Sequence, residues 1–332
     1  MTLSDLDLLI NDYLTRYQIP GLSVAVANRG VLLHAAGYGF ANLEHQARAT
    51  ADTIYQTASV GKQFTAALIL LLVERGLVGI DESIAPHFPP APAAWSGITV
   101  RHLLTHTSGI SDQGYSCLNL RLDYTDQELA DAIASSPLDF APGAAWSYSN
   151  SGYILLGLLV GRLTGRFYGD LLREWIFTPL EMTTARTISE EDIIPDRAAG
   201  YRLDGGLLRN QEYVSPSLNR TADGGLYVSV LDLAKWDRAL HDGTLLSAAS
   251  RDAMWTPVKL ADGSSYPYGF GWSVESSARG CMVEHDGEWQ GFASHIVRYL
   301  DEGLSVMVLA NLCDAPVSEL ARDITINRLI VP

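Results

Sequence analysis

Lysine is the scarcest charge in this 332-residue chain: only Lys62, Lys235 and Lys259 occur, against 38 acidic residues and a formal net charge of −15. No stretch concentrates Arg or Lys, so nucleic acid and anionic membrane surfaces are excluded as partners, and small molecules are expected instead. Cysteine is as sparse. Cys117, Cys281 and Cys313 are odd in number and lack metal-like spacing, which argues against a disulfide framework or a zinc site and reads as free thiols. Long apolar runs are missing too, since AALILLLV and YILLGLLV fall well short of the roughly 20 residues a membrane helix needs. The opening MTLSDLDLLINDYLTRYQIPG starts acidic and has apolar positions at helical spacing, not a basic head and an apolar core, so no signal peptide is read. A cytoplasmic location is expected, with a chain already stripped of its leader as the alternative. G-x-S-x-G, P-loop and dinucleotide fingerprints are absent, which removes those enzyme classes and implies no cofactor. His102 and His106 give H-x-x-x-H, but Leu103 stands where a zinc protease needs Glu, so no metal is expected. His34, His241 and His295 lack convergent partners and read as structural.

What is present is a globular composition, 47% hydrophobic and 18% charged, enough for one large core or two lobes. After a first helix, GLSVAVA and VLLHAAGYGF flank Asn28-Arg29-Gly30, the chemistry of a tight hairpin. Residues 61–200 carry helical signals, TAALILLLVERG, TVRHLLTH, TDQELADAIASS and SGYILLGLLVGRLTG, broken by loops such as PHFPPAPAAW. Helical spacing returns in VLDLAKWDRALHDG. From about residue 268 the period becomes two, and YGFGWSVES, CMVEHDGE, FASHIVRYL and LSVMVLANL read as strands, followed by a last helix, VSELARDITINRLI. The expected fold is α/β (α+β): an antiparallel sheet joining strands from both ends, flanked by helices, plus a mainly helical second lobe. The expected division is a single unit over 1–332, with 1–80 and 240–332 in the sheet lobe and 81–239 in the helical lobe. The site is expected in the cleft between them.

One of the three lysines sits in TASVGKQFTA, three residues after Ser59 and at the head of an apolar helix. Lys62 could mark where that helix leaves solvent, and Ser59 could be its cap. With 27 serines and three lysines, S-x-x-K arises by chance in roughly one such chain in four. Its position adds weight. A serine at a helix start feels the partial positive charge of unpaired N–H groups, which favours its alkoxide and disfavours a protonated lysine beside it. Further on, WSYSNSGY contains the chain's only Y-x-N, Tyr148 and Asn150, and VEHDGEWQGF places His285-Asp286-Gly287 on a strand. Alone, Tyr148 and Asn150 could be turn and capping residues.

S-x-x-K, Y-x-N and a strand-borne H-x-G, in this order, resemble the serine β-lactamase and penicillin-binding-protein superfamily, and within it the class C β-lactamase-like branch. RHLLTHTSGI, PGAAWSYSNSGYILLG, ADGGLYVSVLDLAKW and LSVMVLANL extend the resemblance over nearly the whole chain. It implies a β-lactamase/transpeptidase-like fold with Ser59 as acylated nucleophile, Lys62 as its proton acceptor and Tyr148 as proton relay. It also implies that Asn150, His285 and Gly287 hold the substrate, and that the backbone N–H groups of Ser59 and Glu288 form the oxyanion hole. Two features depart from the family. There is no S-D-N triplet or separate glutamate base, so Lys62 and Tyr148 would handle the protons alone. The K-T-G of true β-lactamases is His285-Asp286-Gly287, so a permanent cation is missing and an anion is added. The expected activity is that of an acyl-enzyme serine hydrolase on small neutral esters, with a D-amino-acid peptidase or amidase, or a weak β-lactamase, as the alternative. A peptide-binding protein without turnover is the reading from another class.

Overall fold

The computed structural model describes residues 2–189 and 191–326. The expected last helix runs over Val317–Ile326, and the rest of the stretch assigned to it lies outside the described residues. Among the described residues the main sheet has seven strands, all neighbours antiparallel, in the order Ser273–Ser277, Gly280–Trp289, Phe292–Tyr299, Leu304–Ala310, Gly21–Asn28, Val31–Asn42, Ala47–Arg48. Gly21–Asn28 therefore pairs on one side with its hairpin partner and on the other with a strand from the far end of the chain, in the register Leu22 to Ala310 and Val26 to Val306. The hairpin turn is the one its sequence demands: Asn28 faces Val31, and Arg29 (φ 48°) and Gly30 (φ 73°) both adopt left-handed backbone.

Period two in the strands sorts the core into two layers. Val24, Val26, Val297, Val306 and Val308 point to the first helix, Leu3–Arg16, and to Val317–Ile326, meeting Leu6, Ile10, Leu320 and Ile324. Ala25, Ile296, Met307 and Leu309 point the opposite way, into the large core. Because both faces are covered, Gly21–Ala27 is buried throughout and reads as a nearly unbroken apolar run.

Three helices build the second layer. Lys62–Glu74 is buried on every side from Lys62 to Leu72, which explains its lack of a polar stripe. Asn150–Thr164 packs beside it, and Val230–Asp242 lies against the sheet, with Trp236 donating to Gln63 Oε1 (3.1 Å) and its ring packed at a tilt of 39° on Phe64, 4.7 Å between centres. The boundary expected at 239/240 thus falls inside a helix that packs on the sheet. A second difference concerns YGFGWSVES: the strand begins only at Ser273, because Gly271 has φ 74° and its backbone presses on the Lys62 carbonyl, where a Cβ would stand 2.9 Å away. No described helix is long and apolar enough to cross a membrane.

Candidate active site

The turn carrying Ser59 is a single 3-10 turn, Ala58–Gly61, running directly into the Lys62 helix. In 3-10 geometry side chains at i and i+3 eclipse, and Lys62 Nζ comes to 3.0 Å from Ser59 Oγ. Ala58 enters the turn at φ 45°, a strained conformation for a residue with a Cβ, and packs so closely on Gly224 that a side chain there would meet Ala58 at 2.5 Å. The turn is anchored by Thr57, whose N–H donates to the Leu226 carbonyl (2.9 Å) and whose carbonyl accepts from Ser294 Oγ (2.5 Å).

Lys62 is fully buried, so the solvated reading of its side chain does not hold. Nζ also contacts Asn150 Oδ1 (2.8 Å) and the Asp223 carbonyl (2.6 Å), and lies 4.8 Å from the centre of the Tyr148 ring. Burial lowers its pKa to about 8, against the opposing pull of Asp223, Asp112 and Asp286. Two of its three neighbours are carbonyl oxygens that can only accept. A neutral amine in this position therefore gives both N–H groups to Asn150 and Asp223 and turns its lone pair to the Ser59 hydroxyl. Burial raises the Tyr148 phenol, with Ser59 acting in the opposite direction, and its buried oxygen has no well-formed hydrogen bond among the described residues.

Asn150 is placed by a helix end. Asp112 accepts from the N–H groups of Asn150 (2.9 Å) and Ser151 (2.9 Å) and from Ser149 Oγ (2.8 Å), while Ser149 Oγ caps Gly152 N–H (3.1 Å). Since Asn150 Oδ1 faces the lysine, its amide NH2 is left for the cleft, which Asn150 lines together with Ser59, Tyr115, Asn219, Thr221, Asp223, Glu288 and Trp289. A larger cavity of about 730 Å³ lies along the same helix near Arg162 and Tyr168, and neither Ser59 nor Lys62 lines it.

His285, expected at the substrate, is 5% exposed and has both ring nitrogens engaged by protein. The proton positions follow from groups with a fixed role. Ser149 N–H can only donate, so His106 Nδ1 accepts (3.1 Å) and carries its proton on Nε2, which donates to Tyr268 (3.2 Å). Tyr268 O–H then donates to His285 Nε2 (2.8 Å), and His285 Nδ1–H donates to the Asp286 carbonyl (2.6 Å). Every member is neutral and used once. Burial, then the nearby Lys62 charge, lowers His285 to about 4 and His106 well below the ordinary imidazole value. Asp286 points outward, as strand alternation requires.

Gly287 faces protein too. A Cβ there would meet Ser294 Oγ and the Thr57 carbonyl at 2.5 Å and Ser59 N at 2.9 Å, so the missing side chain lets the strand touch the serine turn. This brings the Ser59 amide next to the strand segment that carries Glu288. The Glu288 carboxyl is raised, first by partial burial and then by Asp314 and Asp286, which marks an electronegative rim. Sequence reasoning did not single out Asp112, Tyr268 or Asp223, and read His106 only as a failed metal ligand. The available signals were charged or hydroxylated side chains inside TSGISDQG, YGFGW and ADGG.

The family model described as Beta-lactamase matches residues 6–328. Among curated proteins the chain is 31% identical over 317 residues to Penicillin-binding protein 4* of Bacillus subtilis (strain 168), covering 89% of this chain and 69% of that protein. It is 28% identical over 312 residues to a D-aminopeptidase of Gluconobacter oxydans (strain 621H), covering 89% of this chain but only 56% of that one. Among solved structures, the D-amino acid amidase from Ochrobactrum anthropi SV3 complexed with L-phenylalanine superposes with a TM-score of 0.86 at 25% identity, covering 97% of both chains.

Proposed function

Because the chain belongs to the Beta-lactamase family, we propose that it hydrolyses small esters and amides without acidic groups, through an acyl-enzyme on Ser59. In this reading neutral Lys62 takes the Ser59 proton as the oxygen attacks the substrate carbonyl. Tyr148, a phenol at working pH, passes a proton to the leaving group and helps to activate the water that releases the acyl group. The amides of Ser59 and Glu288 stabilise the tetrahedral oxygen, a contribution of about 10² to 10³ in rate per donor in comparable sites. Asn150 donates to a substrate carbonyl.

One observation carries the choice of substrate: the position where a fixed cation would hold a substrate carboxylate has a neutral His285 whose two nitrogens are used by Tyr268 and Asp286. The acidic residues that line the cleft, Asp223 and Glu288, act against a carboxylate as well. Small esters without a carboxylate fit this environment, and the names of the D-aminopeptidase and D-amino acid amidase relatives support amides as well as esters.

The test is exposure to a fluorophosphonate followed by mass spectrometry, alongside rates on p-nitrophenyl acetate and on a cephalosporin. The expected outcome is a single adduct on the Ser59 peptide, none in Ser59→Ala, and faster turnover of the acetate. An unlabelled protein without turnover would favour the peptide-binding alternative, and a preference for the cephalosporin would overturn the substrate ranking.

A further inference from the structure

The cleft contains a carboxylate that the proposed reaction does not use. Asp223 comes from the ADGG turn and lines the cavity beside Ser59, Asn150 and Thr221. Its backbone carbonyl holds Lys62, but its side chain does not pair with that lysine. The three contacts of Nζ go to Ser59 Oγ, Asn150 Oδ1 and the Asp223 carbonyl, which exhausts the donors of an ammonium. Among the described residues no Lys, Arg or His forms an ion pair with the Asp223 carboxylate; the Thr221 hydroxyl close to it lowers its pKa but gives its hydrogen to the Leu218 carbonyl (3.0 Å), leaving its oxygen free to accept. Burial raises its pKa, with Lys62 at a distance acting against that shift. Asp223 is only partly exposed, so its carboxylate is incompletely solvated as well as without a direct counter-ion, and a cationic ligand in the cleft would supply the missing charge.

The surroundings favour a cation over any other occupant. Asp112 is consumed by the helix end, Asp286 faces outward, and Glu288 stands on the same cleft as Asp223. The gap beside Asp223 also has the parts an ammonium needs: the carboxylate, the Thr221 hydroxyl and the Tyr115 ring. Tyr115 shares that wall, and its phenol is raised by burial and by Asp223. Asn150 fixes which side of the substrate reaches this wall, because its free NH2 and Asp223 border the same cavity as Ser59.

We propose that Asp223 is a specificity-determining residue that binds the free ammonium group of an aminoacyl ester or amide while its carbonyl sits at Ser59. The proposal rests on the acyl-enzyme reading and narrows its substrates to amine-bearing acyl donors.

The test compares kcat/KM at pH 7.0 for alanine methyl ester of either hand, methyl propionate and monomethyl succinate, which share a leaving group and differ in the charge of the acyl part. The α-amine is then mostly protonated. Wild type is expected to favour the faster alanine ester over the propionate by about tenfold or more, the scale of one charge-assisted hydrogen bond, and to be slowest on the succinate. In Asp223→Asn the alanine-to-propionate ratio is expected to fall about tenfold from the wild-type value, while Glu288→Gln keeps most of it and Asp223→Glu retains part. Equal wild-type rates on alanine and propionate esters would overturn the proposal without touching the hydrolase reading, and this comparison needs no variant to fold. A ratio unchanged in Asp223→Asn, or lost instead in Glu288→Gln, would also overturn it. Absence of fluorophosphonate labelling at Ser59 would instead sink the acyl-enzyme reading itself.

Discussion

Lys62 is the side chain on which the proposed chemistry turns, and its burial fixes a measurable consequence. A base must be unprotonated to accept the Ser59 proton, and the folded-state pKa of about 8 means that below this value most molecules carry the wrong form. We therefore expect kcat/KM for p-nitrophenyl acetate to fall about tenfold per pH unit below 8 and to level off above it. Tyr148 is raised and does not ionise in that range, so the limb belongs to the lysine. A profile flat from pH 6 to 9 would remove Lys62 from the base role. At this scale the sequence supplied much: Ser59, Lys62, Tyr148 and Asn150 were legible as candidates from spacing, helix position and family resemblance. The charge state of His285 was not. An exposed imidazole titrates near 6.5, and only burial in the folded chain, followed by the charge of Lys62 brought beside it, lowers it to about 4. Selection of a substrate carboxylate by a protonated His285 is therefore expected to be absent down to about pH 5.

Elements meet at the site through close backbone contacts, and the Gly287 strand gives the sharpest case. Replacing Gly287 by Ala places a methyl group at 2.5 Å from the Thr57 carbonyl and Ser294 Oγ, both fixed, and at 2.9 Å from Ser59 N. We expect Gly287→Ala to lose about 1–3 kcal/mol of stability in denaturant unfolding, from overpacking. Its kcat should fall by about 10² because the Ser59 amide is pushed from its place. Normal kcat in a folded Gly287→Ala would show that the strand and the serine turn do not share an oxyanion site. The strands themselves were readable because the period-two pattern separates two helix layers. The start of the Ser273 strand was not, since the left-handed Gly271 takes its conformation from the Lys62 carbonyl packed against it. The Asp112 cap on the Asn150 helix was equally invisible, its partners being 37 to 39 residues away.

For the molecule as a whole, the helix Val230–Asp242 is tied to the sheet by a buried ion pair. Asp237 Oδ1 accepts from Arg298 Nε (2.7 Å) and Ser305 Oγ (2.6 Å), with Asp237 1% and Arg298 5% exposed. Removing one partner leaves the other charged and buried, so Asp237→Ala is expected to cost about 3–5 kcal/mol in chemical denaturation. The double variant Asp237→Leu with Arg298→Met should recover most of that loss. A loss below 1 kcal/mol in the single variant would mean that the guanidinium finds another acceptor. Sequence patterning found the helix and both strands, but nothing in it joined Asp237 to Arg298, because complementary charges carry no periodicity.

The pairing of Gly21–Asn28 with Leu304–Ala310 also dictates a timetable. A strand made near the start of synthesis must wait for a neighbour almost 300 residues downstream, which at 5–20 residues per second is a delay of roughly 15–60 s on the ribosome. The serine turn matures no earlier, since Gly287 and Ser294, which press on it, are themselves late arrivals. A nascent chain thus carries Ser59 and Lys62 for roughly 11–45 s before the strand that shapes their turn has been made, so the pair is translated long before its site can be assembled.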